Sequence, residues 1–309
     1  MRTFHGVNLS WSTEDQVIEV KLHRGPCNEI GTSTLRELEQ LAAFVSAGAG
    51  GARALVLYSD QRRGFSAGAD LTELYHGLQG LQSLGAVRQI VQTLVGRESG
   101  DEGLGATLRQ TLAARAREGG RRLVAPIAIQ RVRGFLRRIH AVFNTLDQAP
   151  ITTIAAVHGV CFGGGLELAL TADLIIADRG ARFAFPELRL GLIPGFGGIP
   201  RLERDVGNAV VRDLLFTGRS LNARRAHELG LVSQVTRPGE ALTTARAAAR
   251  QACRFDPATT AQAKAFAKPL PTARLEQEIE TFLQLMRSPV VEQALERFVN
   301  STDVRPYLP

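Results

Sequence analysis

The segment that most limits how this chain can fold is Gly159-Val160-Cys161-Phe162-Gly163-Gly164-Gly165-Leu166-Glu167. It lies between an apolar run suited to a buried strand, 151–157, and a helical pattern over about 166–173. Three successive glycines strip the turn of every Cβ, so a ligand atom can approach the backbone and the free amides of the helix start can point at it. The same glycines also suit a tight turn that only serves packing. Glu167 adds a chemical reason to look further. It sits in the first turn of an otherwise apolar helix, where the helix dipole favours its charge but dry surroundings shift its pKa. Twenty residues on, Glu187 follows Phe183-Ala184-Phe185-Pro186, again a carboxylate among apolar neighbours. Two such groups on one cleft can divide general-base and general-acid work; the alternative is a dipole partner at 167 and an ordinary surface carboxylate at 187.

The surrounding grammar is strand, helix, strand. Ile18, Val20 and Leu22 alternate with Glu19 and Lys21, the period of a half-buried strand. After a turn at Gly25-Pro26, Thr34 and Glu37 read as a capping box for a helix carrying Leu35, Leu38, Leu41, Ala42 and Val45. The run 54–58 reads as a buried strand, and the pattern returns with strands over 151–157 and 174–177. This predicts an α/β class in which the two halves are related layers of one sheet system. Between them, 131–146 reads as one amphipathic helix, while about 76–128, with the polar Gly-rich patch 96–105, reads as an inserted lid or subdomain. After Arg201 the patterning is helical only, over 209–216, 223–229, 239–253, 272–286 and 290–299. The expected division is a core over 1–205, with the insertion at about 76–128, and a helical region over 206–309.

A 44% hydrophobic composition over 309 residues suffices for a full core. No apolar stretch is long enough to span a membrane and the first twenty residues lack a leader pattern, so the chain reads as soluble, untargeted and cytoplasmic. Cys27, Cys161 and Cys253 have no metal-like spacing and leave one unpaired in any disulfide scheme, which fits packing residues in a reducing compartment. The net charge of +7 favours anionic partners without choosing among nucleotides, acyl-CoA, RNA and anionic lipid. Arginines concentrate at 109, 115, 117, 121, 122, 131, 133, 137 and 138, which suits either a solvated helix face or a ligand-binding surface.

Two further glycine-rich turns stand out. Gly64-Phe65-Ser66-Ala67-Gly68-Ala69-Asp70-Leu71 formally matches the G-x-S-x-G nucleophile elbow, for which His158 and His227 are the triad candidates. The other reading is a turn presenting backbone amides, with Asp70 near the start of the following helix. Residues 193–202, with glycines at 195, 197 and 198, read as a third pliable loop; they lack the P-loop lysine and the G-x-G-x-x-G order, so ATP and NAD sites lose support.

Taken in this order, the three segments resemble the crotonase (enoyl-CoA hydratase/isomerase) superfamily. IAAVHGVCFGGGLELALTADLIIADRGARFAFPELRLGLIPGFGGIPRL, over 154–202, is similar to that family's signature almost throughout, and FSAGADL, over 65–71, to its other hallmark. The resemblance implies a spiral of ββα turns with a C-terminal helical oligomerisation region forming a homotrimer or homohexamer. It implies an acyl-CoA thioester substrate, an oxyanion hole from the Ala69 and Gly164 amides, and a CoA entrance or substrate contacts at Cys27, Asn28, Ala67, Asp70, Leu71 and Gly163. Glu167 and Glu187 match the family's two hydratase glutamates, and keeping both favours hydration or dehydration over isomerisation, decarboxylation or thioester hydrolysis. No metal and no cofactor beyond the CoA of the substrate are implied. The insert is expected to contact CoA phosphates or a neighbouring subunit, with RNA binding as its alternative role.

Overall fold

Strand-forming residues at the start of the chain build the edge of a twisted sheet. In the computed structural model, which describes residues 3–82 and 127–301, β1 (Thr3–His5), β2 (Leu9–Glu14) and β3 (Val17–Leu22) form an antiparallel meander. Helix α1 (Thr32–Ser46) then crosses to β4 (Ala54–Ser59), which runs parallel to β3. From here a unit of two strands and a helical element is repeated. The first is β4, β5 (Gly64–Ser66) and α2 (Leu71–Gln82). After helix α3 (127–147) comes the second, β6 (Thr152–Val157), β7 (Val160–Phe162) and α4 (Gly164–Ala169). The third is β8 (Leu174–Asp178), β9 (Arg182–Ala184) and a single 3₁₀ turn, Glu187–Leu190.

The first strand of each unit enters a seven-stranded sheet, and the second enters a four-stranded one, in which β7 lies between β5 and β9. β5, β7 and β9 are therefore parallel neighbours, and their C-terminal ends lie side by side. Close approach there depends on Gly68: at φ +100°, a Cβ would lie 2.8 Å from the Phe162 carbonyl oxygen and 2.9 Å from the Gly164 nitrogen.

The helical region departs from the helices-only expectation. It contains α5 (Gly198–Val206), α6 (Asn208–Thr217), α7 (Ala223–Glu228), α8 (Ala241–Ala252), α9 (Pro257–Ala267), α10 (Thr272–Leu285) and α11 (Pro289–Asn300). It also adds β10 (Leu221–Asn222) to the small sheet and β11 (Gln234–Thr236) to the large one. Both strands are too short for periodicity to announce them. Alternate residues of β4 face opposite sides: Leu55 and Leu57 enter the main core, while Ala54 and Val56 pack under Ala241, Ala245 and Ala249 of α8. Burial on both faces is why 54–58 reads as a continuous apolar run.

Two local expectations are corrected. The capping box at Thr34 and Glu37 does not form, because α1 starts at Thr32 behind Gly31. Glu37 is buried instead and accepts the amides of Val7 (2.8 Å), Asn8 (2.9 Å) and Leu9 (2.9 Å), while the Thr32 amide donates to Glu73 of α2 at 2.9 Å. The 193–202 segment is a loop only to Gly197, after which α5 begins; Pro200 fits inside its first turn, where no backbone donor is needed. Of the expected insertion, 76–82 continues α2 and 127–128 opens the described part of α3. The remainder, with Arg109, Arg115, Arg117, Arg121 and Arg122, lies outside the described residues.

Candidate active site

The C-terminal ends of β5, β7 and β9 open onto an apolar cavity of about 300 Å³, walled by Leu74, Val132, Phe135, Leu192 and Phe282 among others. Each strand delivers its successor residues to the same place. β5 brings Ala67, Ala69, Asp70 and Leu71; β7 brings Gly163, Gly164 and Glu167; β9 brings Pro186 and Glu187. Asp70 accepts the Glu73 amide at 2.8 Å, capping α2.

The Ala69 amide points away from Ile30 for a topological reason. Ile30 bridges Ala69 in parallel, receiving a bond from Asp70 N (3.2 Å) and donating to Gly68 O (2.8 Å), so the N–H of Ala69 itself faces the other way. Gly164, the first residue of α4, has a free amide because helix starts lack intrahelical acceptors. A Cβ on Gly164 would stand 3.3 Å from Ala69 N, so the two amides are close neighbours. Among the described residues neither donates to a backbone carbonyl in the turn and loop hydrogen bonds.

Glu167 is 2% exposed, and its Oε1 accepts the amides of Phe196 (2.7 Å) and Gly198 (2.8 Å). Burial raises its pKa to about 7, against the pull of those amides and of Arg201. Glu187 is placed differently. Its Oε2 is buried with no hydrogen-bond partner, and burial, followed by the charge of Glu167, pushes the carboxyl well above the usual range. Gly163, at φ +49°, is needed here as well, since a Cβ would come within 2.5 Å of Glu187 Oε1.

Sequence reasoning missed a third carboxylate. Glu278 of α10 is 4% exposed and accepts the Gly197 amide at 2.6 Å and the Ile199 amide at 2.9 Å. The signal was there: Glu278 falls on the apolar stripe of its helix, three residues after Leu275 and four before Phe282. Arg201, fully buried, donates to the carbonyls of Phe196 (3.1 Å) and Gly197 (3.2 Å), to Asn144 Oδ1 (2.6 Å) and to Asp147 (2.7 Å). His140 Nε2 meets the Gly195 carbonyl at 2.8 Å, and burial lowers the imidazole pKa to about 4, so the ring is neutral and donates. The 195–199 turn is thus held by side chains from α3, α4, α5 and α10.

Cys27 and Asn28 do not line the cavity; they brace it from behind. The Cys27 carbonyl accepts the Ala67 amide at 2.9 Å, and Asn28 Nδ2 donates to Ser59 Oγ (2.7 Å) and Phe65 O (2.8 Å). Ser66 is a turn brace too, donating to Asn28 O (2.8 Å) and accepting from Gly68 N (3.1 Å). His158 contacts Gln61 O and His227 contacts Val232 O, so no serine triad assembles among the described residues. No group of three or more His, Cys, Asp or Glu among them is arranged to hold a metal ion, and no described helix is long and apolar enough to cross a membrane.

A family model described as enoyl-CoA hydratase/isomerase matches residues 132–304, more than half of the chain. A probable enoyl-CoA hydratase of Mycobacterium tuberculosis is 44% identical over 115 residues, 37% of this chain and 45% of that protein. Carnitinyl-CoA dehydratase of Proteus mirabilis is 40% identical over 139 residues, 45% of this chain and 52% of that protein. The matched segment thus spans about half the length of these curated relatives. Among solved structures, Pseudomonas aeruginosa DspI is 27% identical with a TM-score of 0.63, covering 91% of this chain and 96% of that one. An enoyl-CoA hydratase/isomerase from Xanthobacter autotrophicus has a TM-score of 0.71 at 24% identity, covering 96% of this chain and 94% of that one, and it shows the shared fold.

Proposed function

The chain belongs to the enoyl-CoA hydratase/isomerase family, and on that premise we propose that it adds water to, or removes it from, the Cα=Cβ bond of an acyl-CoA thioester. The observation that carries this reading is the pair of carboxylates on one apolar cavity, Glu167 buried and Glu187 half-buried with its Oε2 enclosed, in unequal surroundings. Glu167 rests on two amides and ionises near neutral pH, which suits a general base; Glu187 has an unpartnered oxygen and a carboxyl that burial pushes well above the usual range, which suits an acid.

In the hydration direction, Glu167 takes a proton from water as its oxygen bonds to Cβ, the Cα=Cβ electrons move towards the thioester, and Glu187 delivers its proton to Cα on the same face. The net change is one water added, and a proton passing from Glu167 to Glu187 resets the pair. Negative charge that gathers on the thioester oxygen is met by the Ala69 and Gly164 amides, an effect worth about 3 kcal/mol per donor. Asp70, Leu71 and Gly163 line the approach, and exposed Arg131 on the cavity rim supplies a cation for CoA phosphates. The chemistry needs no group beyond the CoA of the substrate. Assembly of the 206–309 region into a trimer or a pair of trimers is part of the same reading; Phe216 and Phe266, 74% and 91% exposed, are apolar surface such contacts would cover.

The test incubates purified protein with short, branched and cyclic enoyl-CoA esters, following loss of conjugated absorbance and product mass. A gain of one water that disappears in Glu167→Gln and Glu187→Gln is the expected result. Bound ester with no gain of water in any case would sink the hydratase reading and redirect it to isomerisation, decarboxylation or thioester hydrolysis.

A further inference from the structure

Between Gly195 and Ile199 the backbone amides are shared alternately between two buried carboxylates. Those of Phe196 and Gly198 go to Glu167, and those of Gly197 and Ile199 go to Glu278. Successive amides in a turn point in different directions, so one carboxylate cannot collect all four. The two sets are coupled through the chain: if 197 and 199 rotate, 196 and 198 rotate with them. Glu278 comes from α10, distant in sequence, and it does not belong to the cavity wall, although Phe282 one turn later does. It therefore has no reach to substrate.

We propose that Glu278 is a positioning residue for the reaction, which fixes the 196–199 turn in the one arrangement that presents two amides to Glu167. The proposal rests on the reading of Glu167 as the base. A helix-borne carboxylate with no solvent and no direct cationic partner is a costly way to hold a loop, since an apolar side chain would pack there without desolvation. What it supplies in return is a specified amide orientation beside the reacting group. The groups facing Glu167 are Glu187 from the 3₁₀ turn, Glu278 from α10 and Arg201 from α5; His140 and Asp147 of α3 act at one remove, through Gly195 and Arg201.

Substitution at 278 separates this role from its alternatives. Glu278→Gln places an amide N–H₂ against one backbone donor, so the turn must rotate; Glu278→Asp keeps the carboxyl group but cannot reach both amides. Loss of one charged hydrogen bond from Glu167 raises the pH at which it ionises by about one unit. Simple removal of a neighbouring negative charge would lower that pH, and a purely structural role would leave it in place. For both variants we expect kcat to fall on the order of a hundredfold with KM little changed. The ascending limb of the pH profile should move upward.

The same ionisation is read without turnover from the protonated-carboxyl band in infrared difference spectra, assigned by its loss in Glu167→Gln. This second readout separates failure of the proposal from failure of the hydratase reading, because it needs no substrate. An unmoved or lowered midpoint in the variant that folds, by either readout, overturns the positioning role; an upward shift supports it. Should Glu278→Gln not fold, Glu278→Asp carries the test alone.

Discussion

Two clusters of buried charge lie on either side of the 195–199 turn, and they are built on opposite principles. On one side Asp147 is fully buried between Arg201 (2.7 Å), Arg204 (3.1 Å) and Lys268 (3.2 Å). Burial would raise its pKa, but those three cations outweigh it and hold the carboxyl below the usual range. On the other side Glu167 and Glu278 are as dry, Glu187 is half-buried with its Oε2 enclosed, and Arg201, behind the turn, opposes the charge of Glu167 and Glu278. Arg201 belongs to both. The difference teaches that burial alone does not make a carboxylate reactive: a neutralised one becomes scaffold, and one left with amides or nothing keeps a proton available near neutral pH.

The comparison breaks most visibly at the reacting pair. Glu167→Gln and Glu187→Gln are each expected to lower kcat by about 10²- to 10⁴-fold while leaving the thermal unfolding midpoint nearly unchanged; a large loss of stability in either would place it with the scaffold cluster. The converse applies to Asp147→Ala, which strands buried Arg201. Urea unfolding should show a loss of about 3–5 kcal/mol, with activity lost only as folding is lost. A buried carboxylate outside both clusters sharpens the contrast. Glu37 has no cationic partner in its hydrogen-bond set but satisfies three amides of the 7–9 turn, so Glu37→Ala should cost about 1–3 kcal/mol and leave kcat alone.

The smallest effects lie in pH dependence, and the two clusters should differ in sign. Glu167 must be ionised to act, so kcat/KM should rise with pH through about 7. For stability, its raised folded pKa means the folded state binds an extra proton between the ordinary value of 4.5 and about 7, so this group's contribution falls as pH rises across that window. Asp147 has a depressed folded pKa, so its contribution is present above the unfolded value and is lost as pH falls below it. Chemical denaturation of Glu167→Gln across pH 4 to 8 should therefore flatten the fall at the upper end and leave the acid limb in place.

Local pattern alone determined a good deal of this molecule. Period-2 alternation marked β3, continuous apolar runs marked β4, β6 and β8, and helical spacing marked α1 and α10 within a few residues of their ends. The order of the three glycine-rich turns carried the family resemblance, and with it Glu167, Glu187, Ala69 and Gly164. What the sequence could not supply is convergence. That Ala69, Gly164 and Glu187 follow three strands lying side by side in one small sheet depends on parallel pairing of segments about one hundred and about twenty residues apart, which no local period encodes. The same limit hid β10 and β11, which become strands only because an edge was there to receive them. It also hid Glu278, a glutamate on an apolar stripe whose meaning rests on the four amides of a turn that folds against it. Side-chain spacing fixes which face of an element is dry; only the packed chain decides which buried charges find a partner and which are left to do chemistry.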